Sequence, residues 1–147
     1  MKGNVAIVVA TAALVASVAG AVGRAQGATQ STWDGVYTEA QASHGAEVYA
    51  ENCASCHAGN LAGDGFAPAL TGGPFLNNWN GLTIGDLFER IRTTMPPDGP
   101  DKVNREDKAA IIAYILKVGG FPAGDKALAD RTAFLKSITF DAYKPGR

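Results

Sequence analysis

The pentapeptide Cys53-Ala54-Ser55-Cys56-His57 contains both cysteines of the chain and one of its two histidines. Residues three apart on a helical turn share a face, so the two thiols would point the same way. A disulfide accounts for the cysteines but leaves His57 unexplained. A redox-active dithiol of the thioredoxin kind sits near a βαβ pattern, which this chain lacks. Zinc needs four ligands, and His44 is the only other cysteine or histidine in the chain. His44 lies nine residues before Cys53 on the same stretch, about 13 Å away at the helical rise, and cannot close around the same metal. Cys-x-x-Cys-His is instead the attachment sequence of c-type haem, with both thiols on one edge of the porphyrin and His57 beneath it on iron. The expected cofactor is one covalent haem c. A ligand of that size supplies much of the core of a small domain.

A second iron ligand is expected from Met95. Apart from the initiator it is the only methionine, and it stands directly before Pro96 and Pro97. A methionine that fills a core normally sits on a helix or strand face. The proline after Met95 pushes it toward extended geometry, on a loop able to project its thioether inward. His/Met ligation raises the haem potential and suits a carrier better than a site that binds oxygen.

Three stretches carry helix signals, and little of the chain alternates as strands do. The first opens at Thr38 with Gln41 as its capping-box partner, and runs through Ala42, Gly45, Val48 and Tyr49 toward Cys53. The second starts at Thr83 with Asp86 in third position, placing Ile84, Leu87, Phe88 and Ile91 on one face, and stops at Pro96. The third begins near Asn104, buries Ala110, Ile111, Tyr114 and Ile115, and ends at Gly119 and Gly120. Between the first two, residues 58–82 read as a long irregular stretch, which in so small a domain implies a task such as wrapping a large ligand.

Lys2 and the small apolar run from Val5 to Val22, followed by Ala25 and Gly27, read as a secretory signal peptide over residues 1–27, with a cut near Ala28. The rival is an uncleaved anchor, since the run approaches the length that begins to span a bilayer. Export to the periplasm fits covalent haem, which is normally attached there. Residues 28–147 have the size of one small domain. Without Lys2 and Arg24 the 13 basic and 14 acidic residues become 11 and 14, a net charge of −3 that argues against nucleic acid as a partner. Residues 28–89 hold seven acidic and no basic side chains, whereas 90–147 hold 11 basic and seven acidic, so a dipolar surface is expected.

From Trp33 to Pro122 the sequence resembles a class I cytochrome c, an all-α fold of about three main helices around one haem. The resemblance implies that Gly45 and Tyr49 cross the last helix at Ile111 and Tyr114. It implies that the carbonyl of Pro68 orients His57, and that Phe75 and Trp79 pack the haem, with the Trp79 indole serving a propionate. The stretches Trp33 to Thr38, Met95-Pro96-Pro97 and Gly120 to Gly124 further resemble small cytochrome domains found with quinoprotein alcohol dehydrogenases. Leu135, Ile138 and Phe140 are expected to fold the tail back on the core. The function implied is outer-sphere electron transfer by a protein that is not an enzyme. Its alternatives are an electron-accepting subunit of a quinoprotein dehydrogenase and a five-coordinate haem sensor. Redox proteins are the expected partners, a periplasmic dehydrogenase as donor and an oxidase or another cytochrome as acceptor, meeting a basic rim at Arg90, Arg92, Lys102, Arg105 and Lys108. The membrane is a partner only if the N-terminal segment stays uncleaved.

Overall fold

Two helices that cross at a glycine organise the chain. The computed structural model describes residues 30–144 and 146, so the expected signal segment at 1–27 and its reading as an anchor lie outside the described residues. Helix α1, Glu39–Asn52, opens where Thr38 Oγ1 accepts the Gln41 amide at 3.2 Å. The expected return bond of a capping box is not made. The Gln41 side chain instead grips Leu128 in the tail, donating to its carbonyl at 2.9 Å and accepting its amide at 2.8 Å.

Helices α2, α3 and α4 follow at Ala54–His57, Gly72–Trp79 and Ile84–Thr94, and α5 spans Arg105–Val118. Helix α4 has the reciprocal capping box of Thr83 and Asp86, and α5 is capped by Asn104 Oδ1, which accepts the Asp107 amide at 2.8 Å. Between α1 and α5 the approach is so close that a Cβ at Gly45 would stand 1.9 Å from the Ala110 carbonyl oxygen. Around this crossing Tyr49 packs on Tyr114 with ring centroids 5.4 Å apart, His44 meets Asp107 at 2.7 Å, and Lys117 meets Glu39 at 2.6 Å. Ala109, Ile111, Ile112, Ala113, Ile115 and Leu116 fill the core behind it.

The tail closes on the core as expected, with Leu135, Ile138 and Phe140 all buried. It does so partly through strands that the sequence pattern did not suggest. β1, Gln30–Ser31, and β2, Ile138–Thr139, pair in parallel, and Trp33 Nε1 donates to the Asp141 carbonyl at 2.9 Å. Trp33, Phe121, Phe140, Phe75 and Trp79 then form a chain of ring contacts, with centroids 4.8 to 6.2 Å apart, from the N-terminal arm to α3. The described residues are otherwise helical and irregular, so the all-α expectation holds.

A short helix α6, Thr132–Leu135, docks on α4 through Glu89, whose carboxylate accepts from the Thr132 hydroxyl and pairs with Arg92 at 2.6 Å. Those hydrogen bonds, first from Arg92 and then from Thr132, hold the Glu89 carboxyl down to about 2 from 4.5. A carboxyl depressed on folding contributes stability that is present above its unfolded value and is lost as pH falls through the folded one. The thermal midpoint should therefore drop as pH falls from about 4.5 toward 2, and Glu89→Gln should remove that part of the acid slope in a calorimetric pH series.

Candidate functional site

The end of α1 runs into the pentapeptide through Cys53, which closes α1 and opens α2. The Cys53 amide donates to the Tyr49 carbonyl at 2.9 Å, and the His57 amide donates to the Cys53 carbonyl at 2.9 Å. Cys53, Cys56 and His57 therefore lie on one turn, as the spacing predicts, and both cysteines are free thiols. Cys56 is exposed and Cys53 half-buried. Burial, aided by the neighbouring Cys56, pushes the Cys53 thiol up to about 11. Such surroundings disfavour a thiolate metal ligand and suit a neutral thioether.

His57 is 9% exposed, and its Nδ1 donates to the Pro68 carbonyl at 2.8 Å. A carbonyl can only accept, so the neutral ring carries its proton on Nδ1 and leaves the Nε2 lone pair available to a metal. This contact joins Pro68 to the His57 ring. A set of short bonds fixes the loop that brings it there. The Gly63 amide donates to the His57 carbonyl at 2.9 Å, the Leu70 amide to the Leu61 carbonyl at 2.9 Å, and Asp64 Oδ1 accepts the Phe66 and Ala67 amides at 2.9 and 2.8 Å. The amides of Ala67 and Phe66 keep the Asp64 carboxyl below its ordinary range.

Ala58 and Leu61 both stand at φ 62, a left-handed conformation that costs a non-glycine residue about 1 to 3 kcal/mol. The strain is held by burial of Leu61 and by the Tyr49 hydroxyl, which donates to the Ala58 carbonyl at 2.7 Å. Burial pushes the Tyr49 phenol up to about 12, so it remains a donor. Sequence reasoning missed Tyr49, Leu61 and Asp64 as parts of the site. Only Asp64, in an Asp-Gly turn signal, had a local signature.

Residues 58–82 are thus less irregular than expected, since α3 occupies Gly72–Trp79. Gly72, Gly73 and Pro74 hide its start, yet proline is tolerated in a first helical turn, where the missing N–H has no partner in any case. Phe75 is buried and Trp79 half-buried. Trp79 lines a groove of about 410 Å³ with Leu82, Asp86, Arg90 and Thr94. Cys53, Ala54, Leu70, Leu76, Trp79 and Ile91 sit at the edge of the core, partly buried against it. An apolar margin of that kind suits the face of a porphyrin.

Met95 caps α4 in extended geometry, φ −128 and ψ 138, as expected of a residue before proline, and it is half-buried. His44 stays apart from the pentapeptide, engaged with Asp107 on α5. Among the described residues no group of three or more His, Cys, Asp or Glu side chains gathers to hold a metal ion. The donor set, two free thiols one turn apart and an oriented imidazole, fits covalent haem.

One member of the expected basic rim, Lys108, is not at the surface. Lys108 is 2% exposed, its aliphatic stem in the core, and it offers no charge to a partner. Arg92 pairs with Glu89, Lys102 with Asp98, and the Arg105 guanidinium lies 4.9 Å over the Phe88 ring while donating to the Asp130 carbonyl at 2.8 Å. Arg92 and Lys102 are thus ion-paired locally, while Arg105 keeps its charge at an exposed position. Arg90, exposed beside Trp79, is the member left facing solvent in the groove.

Among the described residues no helix is long and apolar enough to cross a membrane. No solved structure gives a significant match to the chain. Residues 40–115, just over half of the 147-residue sequence, match the family model described as cytochrome C oxidase, cbb3-type, subunit III. By that match, in agreement with the pentapeptide, the crossed helices α1 and α5 and the oriented His57, the chain belongs to this family of class I c-type cytochrome domains, whose haem c is covalently bound.

Proposed function

We propose that the protein carries single electrons between redox proteins in the periplasm, with thioethers at Cys53 and Cys56, His57 as proximal ligand and Met95 as distal ligand. Haem-based electron transfer is the role of the family. The observation that carries the finer reading is the His57 ring, held by the Pro68 carbonyl at 2.8 Å one residue beyond two free thiols. When bound, haem c supplies a one-electron iron couple.

The chain's own residues do the rest. Pro68 fixes the tautomer and the plane of the His57 ring, and its carbonyl raises the ring's basicity. Gly63, Leu70 and Asp64 hold the Pro68 segment still, so a change of charge at the site needs little rearrangement of the protein. Trp79 and Phe75 would give an apolar wall, and Arg90, which shares a groove with Trp79, would be the residue to meet a propionate. The protein makes and breaks no substrate bond in this reading.

A periplasmic dehydrogenase, quinone-cofactor dependent, is the proposed donor, and a terminal oxidase or another cytochrome the acceptor. The oxidase named in the family description supports the acceptor side. With Lys108 buried and Arg92 and Lys102 paired, docking relies on a small transient contact steered by fewer free charges than the sequence suggests.

Protein exported by a host able to attach haem c tests the reading directly. Its mass should show a start near Ala28 and one added haem, and the haem should stay with the polypeptide in acid and organic solvent. Cys53→Ala or Cys56→Ala should leave one thioether at most. Free extraction of haem from the unmodified protein would refute covalent attachment at this motif.

A further inference from the structure

Lysine is rarely buried, because its ammonium loses hydration. Lys108, on the core face of α5, is nevertheless 2% exposed. The hydrogen bonds it makes explain its position. Helix α4 ends at Thr94, and the last carbonyls of any helix lack an intrahelical donor. The Ile91 carbonyl is taken by the Met95 amide at 3.0 Å. The next donor in the ladder, for the Arg92 carbonyl, would be the amide of residue 96, and Pro96 has none. Lys108 Nζ supplies it, donating to the Arg92 carbonyl at 3.3 Å. The same ammonium donates to the Pro100 carbonyl at 2.5 Å.

One atom on α5 therefore ties the chain three residues before Met95 and five residues after it. Between the two anchors the segment turns back with the Gly99 amide on the Pro96 carbonyl at 3.1 Å, and just beyond them the Lys102 amide meets the Gly99 carbonyl at 3.0 Å. Val103, 5% exposed, pins the exit. Helix α5 itself packs backbone to backbone against α1 at Gly45, so the anchor stands on a closely packed element.

We propose that Lys108 is the positioning residue of the Met95 loop: its ammonium holds both ends of the loop and so sets where the Met95 thioether rests. The inference builds on the reading of Met95 as the distal ligand. A positive charge at the C-terminal end of α4 also suits the helix dipole, but dipole compensation alone would not call for the second bond, to Pro100.

The test uses the haem-bound protein, ferric, with imidazole as the probe of the distal position. Lys108→Met keeps length and volume but loses both bonds, Lys108→Gln keeps a donor, and Tyr37→Phe removes a different buried bond, the 2.8 Å contact to the Phe121 carbonyl. Lys108→Met should bind imidazole about tenfold more tightly than the parent, with partial loss of the long-wavelength iron–thioether band. Lys108→Gln should fall between the two, and Tyr37→Phe should match the parent in band and affinity at whatever stability it has. A Lys108→Met protein with the parent's band and imidazole affinity would overturn the inference while leaving Met95 as ligand. A parent that lacks the band, with Met95→Ala binding imidazole no tighter, would overturn the Met95 reading and this one with it. Failure of both Lys108 variants to take up haem would also overturn it, since that would place Lys108 in the fold as a whole.

Discussion

Gly45→Ala should abolish accumulation of the folded, haem-bearing protein or lower its stability by about 3 kcal/mol or more. The added methyl would stand 1.9 Å from the Ala110 carbonyl oxygen and 2.4 Å from its carbon, both backbone atoms that no rotamer change can move. Alanine in place of glycine within a helix gains about 1 kcal/mol of propensity, too little to offset the collision. Relief requires α1 and α5 to separate, which loosens the Tyr49–Tyr114 contact and the buried face of α5 at once. A domain of this size has about 5 to 15 kcal/mol of stability in total, so the loss is a large part of it. Gly73→Ala, in α3, is the comparison: nothing lies within 4 Å of its added methyl, and stability should hold or rise. Thermal melts of the two variants beside the parent decide it. Equal midpoints for Gly45→Ala and the parent would mean that the crossing is looser than its geometry implies.

The helices that organise the fold were legible because their signals are local. Thr38, Thr83 and Asn104 announce three starts, and all three cap as the residue types suggest. What escaped was long-range. Gln41 fits a capping box equally well whether its side chain turns back or reaches Leu128, and only the folded tail decides. The two-residue strands β1 and β2 lie 108 positions apart, too short to leave an alternating pattern. Helix α3 begins with two glycines and a proline, the composition of a loop, and becomes helical with Phe75 anchored on Phe140.

The site divides in the same way. Cys53, Cys56 and His57 are contiguous, and their chemistry was readable from spacing alone. Pro68 needed the family resemblance, because nothing in a proline's own neighbourhood says which histidine its carbonyl will meet. The burial of Lys108 escaped for a related reason. Counting charges along Arg90 to Lys108 cannot tell a solvated lysine from Lys108, which lies on the buried face of α5 among alanines and isoleucines. Its neighbours Ala109 to Ala113 already marked that face as buried on both sides, and the missing amide of Pro96 was the signal that a donor would be needed there.

Met95→Ala should lower the reduction potential by about 0.1 to 0.3 V, a part of the roughly 0.8 V over which axial ligands set haem potentials. It should also let carbon monoxide bind the ferrous protein readily. The substitution isolates the thioether well. Alanine keeps the extended cap at φ −128 and ψ 138, Pro96 and Pro97 still end α4, and Lys108 still holds the Arg92 and Pro100 carbonyls. The course of the loop should survive, and the change should fall on the ligand position. A methionine that only packs predicts a different result. Met95 is half-buried, so truncating it would cost less than the roughly 2 to 5 kcal/mol of a fully buried methionine and would leave the potential near the parent's. The two readings therefore separate in a single pair of measurements, redox titration and melting: a large potential shift with a small stability loss marks a ligand, and the reverse marks packing. Parent protein that already binds carbon monoxide as fast as Met95→Ala would instead point to an open sixth position, and the five-coordinate sensor would replace the electron carrier as the reading of this chain.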